Sequence, residues 1–111
     1  MPNKLFVYGT LKPDESMGHM LKAIGGTWEK ATVQGKYIEA GSIQGFDYPG
    51  IILRDSGEDI NGYVFISDNL SNHWNEIDAY EGPFYRRVVT RATLADGRTV
   101  DTFVYELKQN R

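Results

Sequence analysis

Apolar residues along the chain fall into two rhythms, and together these predict six strands and two helices. Leu5-Phe6-Val7-Tyr8 is a continuous apolar and aromatic run of strand length, which suits a strand buried on both faces better than a half-exposed one. Gly9 and the short turn Thr10-Leu11-Lys12 follow it. Met17, Met20, Leu21 and Ile24 then recur at the spacing of one helical face. Asp14 or Ser16 is available to cap that helix, and Gly25-Gly26 to stop it. Strands are expected over Thr32 to Ile38, Ile51 to Leu53 and Ile60 to Ile66, separated by glycine-rich loops, with Gly62 allowing a bulge or the close approach of another backbone. A second helix is expected from about Asn69 to Glu81, capped by Ser67 or Ser71 and ended by Gly82-Pro83. Phe84 to Leu94 and Thr99 to Leu107 read as the two strands of a hairpin turned at Asp96-Gly97, with Asp101, Phe103, Tyr105 and Leu107 on one face of the second. Lys108 to Arg111 is a polar tail that need not be ordered.

Strands and helices do not alternate regularly enough here for a doubly wound sheet, so the class is α+β. Closing such short strands into a small barrel would remove their exposed edges. The length of 111 residues predicts a single domain, 1–111, with room for one core.

Composition removes whole classes of chemistry. A formal charge of −3 argues against a nucleic-acid or anionic-membrane partner, and a neutral or zwitterionic small molecule fits better. The chain has no cysteine, which excludes disulfides, thiolate metal ligation and a cysteine nucleophile. The two histidines are far apart in sequence, and nothing supplies His19 with metal-binding neighbours. No signal-peptide pattern or membrane-length apolar stretch is present, so the expected location is the cytoplasm.

The position of Glu81 is the main chemical clue. Leu70, Trp74 and Ile77 mark the apolar face of the second predicted helix, and at about 100° per residue Glu81 returns close to the centre of that face. A carboxylate so placed is desolvated, and its pKa rises toward the range where a general base works near neutral pH. The alternative is a helix-end residue that swings into solvent or pairs with Arg86 or Arg87. Gly9 also carries two readings: an ordinary turn, which is the commoner use, or a loop whose backbone N–H groups collect an anion or oxyanion. Phe46-Asp47-Tyr48-Pro49-Gly50 is equally open, as a pocket wall or as a rigid turn folded onto the core.

Tyr8-Gly9-Thr10-Leu11, set so near the N-terminus, resembles the Tyr-Gly-(Ser/Thr)-Leu motif of the gamma-glutamylcyclotransferase-like family, which includes gamma-glutamylamine cyclotransferases. The resemblance extends in order through Tyr48-Pro49-Gly50-Ile51, Asn61-Gly62-Tyr63-Val64-Phe65, Ile77-Asp78-Ala79-Tyr80-Glu81-Gly82, Tyr85-Arg86-Arg87 and Val104-Tyr105, and so spans most of the chain. It implies a small mixed β-barrel of about six strands with two flanking helices. It also implies an activity: cyclisation of a γ-glutamyl amine or peptide to 5-oxoproline, with release of the amine. The family's acid/base glutamate falls on Glu81. Substrate binding falls on Tyr8, Gly9, Thr10 and Leu11, with Tyr105 on the last strand either reaching the site or merely capping a buried ring. Because the attacking amine and the carbonyl are tethered in one molecule, no metal, cofactor or nucleophilic side chain is required. One of Arg86 and Arg87 could bind a substrate carboxylate, or they could brace Glu81 or Asp78; strand alternation lets only one of them point inward.

Three competing readings follow from the same residues. A non-catalytic binding module would use the same barrel pocket and tolerate glutamine at position 81. A glycosidase-type pair of Asp78 and Glu81 is disfavoured by their different directions on the helix. A phosphate-binding loop at Gly9-Thr10-Leu11-Lys12 lacks the required preceding glycine and spacing.

Overall fold

The computed structural model describes residues 3–8, 16–39 and 50–108, with only the backbone for 16–18. Its elements are β1 (Lys4–Val7), α1 (Ser16–Ile24), β2 (Thr27–Ile38), β3 (Gly50–Leu53), β4 (Glu58–Ile66), a 3-10 turn (Leu70–Asn72), α2 (Trp74–Glu81), β5 (Tyr85–Leu94) and β6 (Thr99–Leu107). All six strands join one sheet in the order β1-β4-β2-β3-β6-β5, and further pairings of β1 with β6 and β2 with β5 close five of them into a barrel. β3 is the extra strand. It lies between the last third of β2, at Gly35 to Ile38, and β6 at Glu106.

Two apolar layers follow from strand alternation. Phe6, Val33, Val64, Ala92, Leu94 and Val104 come only from strands and fill the barrel interior. Leu5, Val7, Phe65 and Phe103 point the other way and meet Leu21 of α1, Leu70 of the 3-10 turn and Ile77 of α2. That two-sided demand is why β1 reads as an unbroken apolar run, and Leu5, Phe6 and Val7 are each fully buried. β6 is likewise buried on both faces from Thr102 to Leu107, beyond the one apolar face that its alternation predicts.

The elements otherwise differ from expectation at their ends. β2 begins at Thr27 rather than Thr32, because Thr27 to Ala31 pair with the C-terminal half of β4. The second predicted helix is broken into a 3-10 turn and α2 at His73, which makes no side-chain cap. Ser67 does hold the entry to this segment, since its hydroxyl accepts from the Asn69 amide at 3.1 Å and donates to the Gly25 carbonyl at 2.5 Å. Gly62 permits the predicted close approach: a Cβ there would sit 2.2 Å from the Val7 carbonyl oxygen and 2.6 Å from the Phe6 ring. The hairpin at Asp96-Gly97 is present, with Leu94 N–H donating to the Arg98 carbonyl at 2.8 Å and Gly97 at φ 89°. The segments Gly9 to Leu11 and Phe46 to Pro49, on which two expectations rest, lie outside the described residues.

Candidate active site

Glu81 is the last residue of α2 and is partly buried. Gly82 ends the helix with a positive φ of 81°, and its N–H donates to the Asp78 carbonyl at 3.0 Å. A glycine suits that left-handed position, and it turns the chain into β5 immediately after the carboxylate. Burial pushes the Glu81 carboxyl up to about 7. Among the described residues no cation offsets this, because both nearby arginines are engaged elsewhere. Arg86 pairs with Glu106 at 2.8 Å, and Arg87 pairs with Asp78 at 2.9 Å. The two arginines do point to opposite faces of β5, as alternation requires.

Two tyrosines share the electrostatic field of Glu81. Burial raises the phenol pKa of Tyr8, and the Glu81 charge raises it further. In Tyr105, too, burial is the main cause of a raised pKa, with the hydrogen bond and charge of Asp78 next and a smaller contribution from Glu81. The fold therefore brings together Glu81, Tyr8 and Tyr105 from the end of α2, the end of β1 and the C-terminal half of β6.

Neither hydroxyl is idle. The Tyr8 hydroxyl donates to the Tyr105 carbonyl at 2.9 Å and accepts from the Ile51 amide at 3.1 Å, tying β1, β6 and β3 together inside the barrel. β3 starts hard against it: a Cβ on Gly50 would lie 3.0 Å from Leu107 Cβ, 3.1 Å from the Tyr85 ring and 3.4 Å from the Tyr8 hydroxyl. The Tyr105 hydroxyl donates to Asp78 Oδ1 at 2.6 Å. Burial works against ionisation of Asp78, but hydrogen bonds from Arg87 and Tyr105 and the guanidinium charge prevail and hold its carboxyl below the usual range.

Glu106 was not visible to sequence reasoning as anything but a strand residue. It is 7% exposed, and its two carboxylate oxygens accept from Arg86 Nε at 2.9 Å and from the Leu53 amide at 2.9 Å. From β6 it thus ties β3 on one side to β5 on the other, next to the Tyr8 staple. A hollow of about 490 Å³ lies elsewhere, where β2 passes from β4 to β5, lined by Lys30, Thr32, Asn61, Tyr63, Thr93 and neighbours. Its described lining contains one charged side chain and no carboxylate, so it offers no acid/base group. Among the described residues no group of three or more histidine, aspartate or glutamate side chains is placed to hold a metal ion, and no helix is long and apolar enough to cross a membrane.

The family model for gamma-glutamyl cyclotransferase, AIG2-like proteins matches residues 5–111. The chain belongs to that family. No curated protein matches it. Among solved structures, this cyclotransferase-family chain resembles YkqA from Bacillus subtilis, with 26% identity and a TM-score of 0.72 over 99% of its own length. It spans only 37% of the YkqA chain. An AIG2-like protein from Mus musculus is similar at 20% identity and a TM-score of 0.69, covering 98% of this chain and 79% of that one. A structure named gamma-glutamyl cyclotransferase is similar at 15% identity and a TM-score of 0.67, covering 97% and 68%. At those two identities the likeness establishes the fold alone, a closed five-stranded barrel with an extra strand and two helices.

Proposed function

We propose that this protein cyclises a γ-glutamyl amine or peptide to 5-oxoproline and releases the amine, with Glu81 as general acid/base. The observation that carries the reading is Glu81 itself, a partly buried carboxylate lifted to about 7 by desolvation with no cation among the described residues to neutralise it. A pure binding module has no use for such a group, whereas a base poised near the working pH does.

The chemistry needs little else. Ionised Glu81 takes a proton from the substrate's α-ammonium group. The freed amine attacks the γ-carbonyl carbon of the same molecule, closing a five-membered ring with an oxyanion on the former carbonyl oxygen. Protonated Glu81 then delivers its proton to the leaving nitrogen and takes the surplus proton from the ring nitrogen; the carbon–nitrogen bond breaks, the carbonyl re-forms as that of 5-oxoproline, and Glu81 passes this second proton to the expelled amine, which departs as an ammonium. No water is consumed, and Glu81 ends ionised as it began. Tethering of amine and carbonyl supplies most of the entropic advantage, so the enzyme's work is to hold the folded conformer and move the proton. Backbone amides of the Tyr8 to Leu11 loop hold the substrate and the developing oxyanion in this reading. A cofactor-independent reaction on a small molecule in the cytoplasm is part of the same proposal.

The test is a panel of γ-glutamyl amines and γ-glutamyl dipeptides incubated with the purified protein, with 5-oxoproline quantified by mass spectrometry. Formation of 5-oxoproline from at least one member supports the assignment. Binding of panel members without turnover would replace it with the binding-module reading.

A further inference from the structure

We infer that Asp78, Arg87 and Tyr105 form a charge-neutral clamp that positions Glu81, and that Tyr105 acts through Asp78 and not on the substrate. The inference rests on the acid/base role proposed for Glu81 and adds the device that holds it.

α2 cannot set its own position. It has eight residues, two turns, with Ile77 its one buried residue, and no side chain caps its start. Isolated helices of that length are not stable, so tertiary contacts must hold it. Besides Ile77, which packs on the sheet, the contacts on α2 centre on one neighbour. Arg87 presents two parallel bonds to Asp78, Nε to Oδ1 at 2.9 Å and Nη2 to Oδ2 at 3.3 Å. Its guanidinium lies 4.4 Å from the Trp74 ring and 4.7 Å from the Phe103 ring. Trp74 and Asp78 are four residues apart on α2, and Glu81 is three further, so the arginine grips the helix at the two positions directly below the carboxylate. The Tyr105 hydroxyl adds a third bond, 2.6 Å to Asp78 Oδ1. Since that hydroxyl's single proton is committed to Asp78, Tyr105 has no proton left to donate to a substrate.

The clamp is also electrostatic. An aspartate three residues before Glu81 would by itself repel the Glu81 charge, and Arg87 cancels it. Among the described residues, the phenols that feel the Glu81 charge are those of Tyr8, at the end of β1, and Tyr105 on β6, both with raised pKa values and neutral near pH 7. Arg86 faces away, onto Glu106. Removing one member of the Asp78–Arg87 pair therefore leaves one net charge within about a helical turn of Glu81, worth on the order of one pKa unit at an effective dielectric between protein and water.

The experiment uses Asp78→Asn, Arg87→Met and Tyr105→Phe in the full chain. Asp78→Asn leaves Arg87 uncompensated, which favours ionised Glu81, so the acidic limb of the kcat/KM profile should move down by about one unit. Arg87→Met leaves Asp78 uncompensated and should move the limb up by a similar amount. Tyr105→Phe should lower kcat roughly tenfold with KM changed less than about twofold, as expected when an orienting group is lost. A raised KM at unchanged kcat in Tyr105→Phe would place Tyr105 on the substrate and overturn the clamp. Limbs that stay put in both charge variants would reduce the cluster to structural support and overturn it equally. Arg87→Lys, which keeps the charge, serves if Arg87→Met does not fold, and should leave the limb in place while lowering kcat. The Glu81 carboxyl 13C titration, read by NMR in the same variants, gives the shifts without any turnover. Opposite NMR shifts with an inactive parent protein would keep the clamp and reject the cyclase reading, whereas unshifted titrations with an active parent would do the reverse.

Discussion

Replacing Glu81 by glutamine should remove activity and raise stability together, and the rise should depend on pH. The substitution keeps size and shape but deletes the proton acceptor. Its effect on stability follows from the displaced carboxyl, at about 7 in the folded chain against an ordinary 4.5. A carboxyl raised in the folded state contributes stability that is fully present below its unfolded pKa and lost as pH rises through the folded one. Ionisation of Glu81 therefore costs little near pH 4.5 and approaches its full penalty above about pH 7. At about 1.4 kcal/mol per unit, that penalty is at most roughly 3 kcal/mol, and solvent screening of a partly exposed group reduces it to about 1–2 kcal/mol. The glutamine variant should match the parent at pH 4.5 and melt about 4–8 °C higher at pH 8. Turnover should fall roughly 10²- to 10⁴-fold, the usual loss for a general base. Thermal unfolding followed by circular dichroism at the two pH values, beside 5-oxoproline formation by mass spectrometry, measures both. Turnover at the parent rate would refute the catalytic role. A variant destabilised at pH 8 would refute the desolvation argument, since it would mean that Glu81 serves a stabilising bond.

Tyr8→Phe should cost about 1–3 kcal/mol in urea unfolding, because it strands the buried Ile51 amide and Tyr105 carbonyl that its hydroxyl satisfies; an unchanged midpoint would show that the staple is not holding β3. Gly62→Ala should cost about 3 kcal/mol or more, since its Cβ would meet the Val7 carbonyl oxygen at 2.2 Å and β1 would have to move away from β4; a soluble variant with parental stability would contradict the packing. Turnover should be unaffected by a chelating agent, and loss of activity restored by a divalent ion would count against the mechanism.

Much of this architecture is local and could be read from residue order. The apolar run Leu5 to Tyr8 announced a strand with two buried faces, the helical spacing of Met20, Leu21 and Ile24 announced α1, and Gly25 and Gly82 stop the helices with φ values of 86° and 81°. Glu81 came from the same local arithmetic. Its angular place on the helix survives although the 3-10 turn separates Leu70 from α2, because Trp74 and Ile77 alone define the face that packs on the sheet. Where backbone geometry is dictated within a few residues, periodicity and turn chemistry are enough.

What joins distant segments was decided elsewhere. Asp96-Gly97 marked the hairpin, but the register of β5 on β6 depends on whether the loop holds two residues or three. The loop runs from Ala95 to Gly97 with Asp96 outside the left-handed region, which pairs Leu94 with Arg98 and sets Arg87 opposite Tyr105. A two-residue loop would have set Arg87 opposite Glu106 and reversed which arginine meets Asp78. The sequence left open whether Arg86 or Arg87 braces Asp78, because a shift of one residue exchanges their faces. The roles of Tyr8, Glu106 and Tyr105 were likewise beyond local reading, since each binds a group between 20 and 97 positions away. Residue order thus specified the elements and placed one carboxylate on the buried side of a helix. Only closure of the barrel decided which polar groups would be satisfied around it, because a buried hydrogen-bonding group takes whichever partner the fold delivers.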